Sequence, residues 1–155
     1  MNDLKMALEM PFDVNRIHWR CGARTKDKSK GSALAYVDAR DVMRRLDEVM
    51  GFEWQNRYTL ADSGLLVCDI GLHIDGQWLW RSNGAGDTQV EAEKGKASDA
   101  FKRAAVMWGI SRYLYSLPTV WLPINDYGKF LETPTLPIWA TPEGYKAVML
   151  KRNAA

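Results

Sequence analysis

Lys94, Lys96, Lys102 and Arg103 stand close together, Arg112 follows, and from 94 to 112 only Asp99 opposes them. Several ammonium and guanidinium groups on one rigid element suit the binding of phosphates, which needs point charges and forked donors but no bond-making. A second basic block runs from 16 to 32, with Arg16, Arg20, Arg24, Lys26, Lys28 and Lys30 against Asp27. An acidic stretch separates the two blocks. Solvated faces are the ordinary use of such blocks. A polyanion footprint is the sharper reading.

Bond-making chemistry has thinner support. Asp69, Glu91 and Lys94 or Lys96 are residue types that a metal-dependent nuclease uses around magnesium. Glu91 and Glu93, two apart on a helix, point in different directions. Asp87 and Glu93 near a helix start are favourable without catalytic duty. The nuclease stays as the alternative function. A structural protein whose basic blocks meet an acidic partner is a third. Gly84-Ala85-Gly86 lacks the third glycine of a dinucleotide site and the Gly-Lys-Ser/Thr of a phosphate loop. His18 and His73 are isolated, and Cys21 and Cys68 cannot build a disulfide framework or zinc cluster. Trp54, Tyr58, Trp78 and Trp80 offer rings for base stacking, or for core and subunit contacts.

The elements that must carry these residues follow from periodicity. Residues 1–10 suggest a short helix stopped by Pro11, and 22–32 read as a basic loop. Residues 38–50 pattern as a helix, with Asp38 at its N-cap, Val42, Leu46 and Val49 on one stripe, and Gly51 as terminator. Residues 52–60 alternate as a half-buried strand with Phe52, Trp54, Tyr58 and Leu60 inward. A second strand spans 65–74, Asp75-Gly76 turns the chain, and 77–82 return as a third. A long helix from about 89 to 108 places Val90, Ala97, Phe101, Ala104, Ala105 and Trp108 on one face. Lys96 and Arg103 fall nearly opposite, with Lys102 on a flank. Residues 110–124 are apolar and aromatic beyond what one small sheet covers, which favours self-association. The proline-rich 118–142 read as extended or turning chain, and 142–152 as a closing helix capped by Thr141.

The resulting fold class is α+β. A three-stranded antiparallel β-meander packs on a long helix (a β-β-β-α core), with an N-terminal helix and an irregular aromatic C-terminal extension. The chain has 155 residues, 46% apolar and 26% charged, with net charge +2, which suits one globular domain. Residues 1–125 form that domain and 126–155 are its proline-containing extension. No apolar run reaches membrane-spanning length and no signal peptide opens the chain, so a cytoplasmic protein without metal or cofactor is expected.

Several stretches resemble the Rad52 family of single-strand annealing proteins, most closely its bacteriophage and prophage branch. They are PFDVNRIHWR (11–20), AYVDARDVMRRLDEVMGFEWQNRY (35–58), EAEKGKASDAFKRAAVMWGISRYLYSLP (91–118) and the VWLP after it. The Asp-x-x-Lys-Arg-Ala helix followed by Gly-Ile-x-Arg-Tyr-Leu-Tyr is the most specific part. The resemblance implies ATP-independent, non-enzymatic annealing of complementary single-stranded DNA in recombination and repair in a bacterial host cytoplasm. It implies a homo-oligomeric ring of roughly ten subunits with the strand in an outer basic groove. It points to a phage or host single-strand-binding protein or exonuclease as further partners. It places Lys102 and Arg103 in the groove, with Lys94 and Lys96 earlier on the same helix. Two positions depart from the family pattern. Asp41 stands where eukaryotic members have an arginine, leaving Arg40 as the nearest base, and Val106 replaces an arginine one turn past the Lys-Arg pair. Arg24, Lys26, Lys28 and Lys30 are candidates to compensate.

Overall fold

The computed structural model describes residues 2–86 and 93–153. The chain divides into two compact units, the first formed by Met1–Met10 and Asp38–Arg112, the second by Pro11–Val37 and Tyr113–Ala155.

The first unit holds the expected meander. Strands β3 (Trp54–Leu60), β4 (Leu66–Ile74) and β5 (Gln77–Ala85) pair antiparallel in that order. Asp75 and Gly76 both take positive φ, 51° and 78°, which is what a tight two-residue hairpin demands. Helix α3 (Glu93–Met107) packs on β4 and β5. Cys68, Ile70 and Leu72 of β4 meet Phe101, Ala104 and Ala105 of α3 in a fully buried layer. Burial of a side chain such as Phe101 contributes about 1.5–3 kcal/mol. Small Ala100, Ala104 and Ala105 let the helix approach the sheet, and Trp108 closes the layer by donating its indole N–H to the Ile70 carbonyl at 3.0 Å. Gly109, at φ 95°, ends the helix.

Strand β3 is not half-buried as expected. All its residues but Trp54 are exposed, because α3 lies over β4 and β5 and leaves β3 as an edge. Phe52 precedes the strand and faces solvent. Helices α1 (Asn2–Glu9) and α2 (Ala39–Met50) complete the unit, with Val42 and Leu46 buried. Gly51 ends α2 with φ 59°. Asp38 occupies the N-cap with an extended backbone, but its side chain makes no capping hydrogen bond. Arg45 is buried and donates to the carbonyls of Leu8 at 3.2 Å and Met10 at 2.5 Å, fixing the end of α1.

The second unit contains a sheet the sequence reading lacks. Strands β1 (His18–Arg24) and β2 (Lys30–Tyr36) form an antiparallel hairpin, and β6 (Trp121–Pro123) adds to β2. The 22–32 loop is thus two strand ends and a tight turn. Its small residues are what the packing requires: a Cβ on Gly22 would lie 2.8 Å from the Leu34 side chain. The turn is held by Asp27, which accepts from the Thr25 hydroxyl at 2.6 Å, the Ser29 hydroxyl at 2.8 Å and the Ser29 amide at 3.0 Å. These bonds, led by the Thr25 hydroxyl, hold its carboxyl down at about 2. Residues 118–142, expected as extended or turning chain, contribute β6 and a short 3-10 turn at Ile138–Ala140. Helix α4 (Pro142–Asn153) follows the expected cap, with the Gly144 amide donating to the Thr141 hydroxyl at 3.2 Å. Among the described residues no helix is long and apolar enough to cross a membrane.

Candidate nucleic-acid interface

The outward face of α3 exists because its inward face is apolar. Residues at 100, 101, 104, 105 and 108 are buried, so 3.6-residue periodicity turns 99, 103 and 106 away from the sheet. Arg103 is exposed and its Nε donates to Asp99 Oδ2 at 3.1 Å, one turn earlier. Lys102 is partly buried beside it. Lys96 is partly buried, and its ammonium donates to the Gly64 carbonyl in the turn between β3 and β4. The Lys94 side chain lies outside the described part of the structure, as do Val90 and Glu91. Arg40 is exposed in the first turn of α2, a helix that packs on α3. Asp41 beside it is buried and accepts from Arg44 at 3.0 Å.

In the second unit, Arg24, Lys26, Lys28 and Lys30 are all exposed along the β1–β2 hairpin. Lys28 has φ 59°, a left-handed position that the Asp27-centred bonds hold. The basic loop is therefore a preordered turn carrying cations rather than loose chain.

Two arginines that the residue-by-residue expectation did not single out sit at the C-terminal end of α3. Arg81 of β5 donates to the Met107 carbonyl at 2.5 Å, with its guanidinium 4.4 Å from the Trp108 ring centre. Arg112 donates twice to the Val106 carbonyl, at 3.0 and 2.8 Å, and once to Met107 at 3.0 Å. Arg112 was countable within the basic block. Arg81 reaches the site only through strand pairing, which spacing does not reveal.

The nuclease constellation does not assemble from the residues described. Cys68 and Ile70 face the core, so Asp69 between them projects from the opposite side of the sheet from α3 and Lys96. There it accepts from the Ser82 hydroxyl and, at 2.8 Å, from Arg57. The Ser82 bond, then Arg57, hold its carboxyl below the usual range.

The aromatic candidates divide between the two faces. Trp54 lies against Phe101, with ring centres 6.2 Å apart, and donates to Asp47 at 2.8 Å; it is a packing residue. The Tyr58 hydroxyl donates to the Ala97 carbonyl at 3.4 Å, and burial pushes its phenol upward. Trp78 and Trp80 lie on the outer face, where Gly71 leaves room for the Trp80 ring and Arg57 stacks on it at 4.1 Å.

Over residues 1–129 the chain matches the family described as Rad52/22 family double-strand break repair protein. It is 36% identical over 145 residues to the single-stranded DNA-binding protein DdrA of Deinococcus deserti, covering 92% of this chain and 72% of that protein. It is 34% identical over 146 residues to DdrA of Deinococcus radiodurans, covering 92% and 70%. No solved structure matches the chain.

Proposed function

Since this chain belongs to the Rad52/22 family of double-strand break repair proteins, we propose that it binds single-stranded DNA through α3 and anneals complementary strands without ATP. The observation that carries the reading is the two-sided helix. It has a sealed apolar face beneath and Lys102 and exposed Arg103 above, in a chain similar to single-stranded DNA-binding proteins over 92% of its length.

Annealing needs two like-charged strands held with their bases free to pair. Cations on a rigid helix neutralise phosphates and release counterions, which gives affinity without reading sequence. None of these steps makes or breaks a covalent bond, so we read the protein as a non-enzymatic one. Lys94, Lys96 and Arg40 extend the contact in this reading, and the hairpin residues Arg24, Lys26, Lys28 and Lys30 supply a further basic patch. Residues 1–125 carry the function and 126–155 extend the same domain.

Self-association into a ring is part of the proposal. Exposed Tyr115, Trp121, Tyr127 and Ile138 in the second unit offer apolar surface for such contacts. A ring repeats one weak site along a strand and multiplies its effect. The phage or prophage origin and a host cytoplasmic setting belong to this reading on the strength of the sequence blocks alone, as does a partner exonuclease or single-strand-binding protein.

The test is annealing of complementary oligonucleotides without nucleotide cofactor, together with filter binding of one strand at ~0.1 M salt. Annealing by the wild type, and loss of both activities in Lys102→Ala/Arg103→Ala with unchanged far-UV circular dichroism, is expected. Full binding by that variant discards the assignment to α3.

A further inference from the structure

We propose that Arg81 and Arg112 form a second phosphate-binding pair that continues the α3 track past the end of the helix. The inference rests on the reading of α3 given above and deepens it.

Both arginines are exposed residues, and both donate to the same oxygen, the Met107 carbonyl, at 2.5 and 3.0 Å. Two like charges held this close repel each other, and an anion between them relieves that cost. Capping the helix does not require them both. The Gly109 amide already donates to Val106 at 2.9 Å, so Arg112 adds a second and third bond to an occupied acceptor. Among the described residues neither arginine is paired with a carboxylate; their partners are carbonyls and the Trp108 ring. Among the described residues their charge is therefore offset only by those carbonyls and the weak negative end of the helix.

The geometry also prepays the ordering cost. Arg81 is fixed by stacking on Trp108 and by its bond to Met107. Arg112 is fixed through Nε and one Nη. Guanidinium carries five N–H donors, so each group keeps donors for a phosphate oxygen. The position matters as well. Val106 lies four residues after Lys102 and three after Arg103, so its carbonyl is about one turn, ~5.4 Å, further along the helix axis. The side chain at 106 is an apolar valine, yet two guanidinium groups reach the carbonyls of 106 and 107 from β5 and from the segment after α3. The cations absent from the helix surface at that turn come instead from side chains on β5 and on the segment after α3.

The test compares single-stranded oligonucleotide binding across a salt series for wild type, Arg81→Gln/Arg112→Gln, Arg81→Lys/Arg112→Lys and Lys102→Ala/Arg103→Ala. The glutamine pair is expected to weaken binding about tenfold and to flatten the log–log salt slope by about 1.4, or 0.7 for each phosphate lost. The lysine pair keeps the charge and restores most of the slope. A glutamine pair with the wild-type slope overturns the proposal; if the slope of Lys102→Ala/Arg103→Ala still falls, the reading of α3 stands without it. Weaker binding at unchanged slope, with a lowered melting temperature, assigns the arginines to helix capping alone and also overturns it. If neither double variant changes the slope, both readings fail. Should the glutamine pair melt below the assay temperature, Arg81→Gln alone decides, because Arg112 still covers Met107. The expected slope change is then about 0.7, and no change refutes the proposal.

Discussion

Replacing Asp99 with Asn should make the protein bind single-stranded DNA more tightly. Asp99 is the only acid between 94 and 112, and its carboxylate holds the Arg103 guanidinium at 3.1 Å. The two side chains are 37% and 50% exposed, so the pair is a surface one. Such an i,i+4 pair contributes about 0.3–0.5 kcal/mol. For a chain of this size its loss lowers the melting temperature by only about 1–2 °C. Binding responds in the opposite direction. A phosphate that meets Arg103 lies about 6 Å from the Asp99 carboxylate, and two unit charges at that distance in water repel by about 0.7 kcal/mol. Adding the freed pair gives about 1 kcal/mol, a gain of roughly fivefold at low salt. Fluorescence anisotropy of a labelled oligonucleotide at ~0.05 M salt reads this directly, and the gain should shrink as salt rises. Unchanged or weaker binding at low salt, with the fold intact, refutes the claim that Arg103 faces the strand.

Two further predictions concern the scaffold. Cys68 is fully buried, and burial pushes its thiol up to about 11. A thiol reagent at pH 8 should therefore modify partly exposed Cys21 and leave Cys68 until the chain unfolds. The folded state holds the Cys68 proton more tightly than the unfolded state, so this contribution is complete below about 9 and is lost as pH rises from about 9 to 11; a Cys68→Ala chain should lose less stability across that window, measured by urea midpoints. Arg45→Ala removes a buried donor from the carbonyls of Leu8 and Met10 and should cost about 2–3 kcal/mol, with faster amide exchange in α1. A midpoint unchanged in Arg45→Ala contradicts the role given to that bond set.

The meander and α3 were legible because their signals are periodic. Cys68, Ile70 and Leu72 alternate, Asp75-Gly76 supplies the left-handed pair a hairpin needs, and Phe101, Ala104, Ala105 and Trp108 recur at helical spacing. The β1–β2 hairpin was hidden because its strands are built from small and basic residues. Gly22, Ala23, Gly31, Ser32 and Ala33 carry no apolar alternation, and their smallness answers to close packing by Leu34 and Cys21 that spacing cannot show. Strand β6 is three residues long and ends at Pro123, which reads as a break rather than a strand. The exposure of Phe52 and of β3 depends on where α3 lies across the sheet, a tertiary fact. The same limit applies to the site. Periodicity placed Arg103 on the outward face, but not the bond from Lys96 to Gly64, nor the convergence of Arg81 and Arg112 from separate elements on one carbonyl.

In the proposed function Lys102 and Arg103 grip the sugar-phosphate chain without reading its bases. Equilibrium binding of the wild type and of Lys102→Ala/Arg103→Ala to two oligonucleotides of unrelated sequence, across a salt series, decides whether they do. Straight log–log lines of equal slope for the two sequences, flattened by about 1.4 in the variant, are expected. Parallel lines for wild type and variant, or a response to sequence in place of salt, would contradict the proposed function.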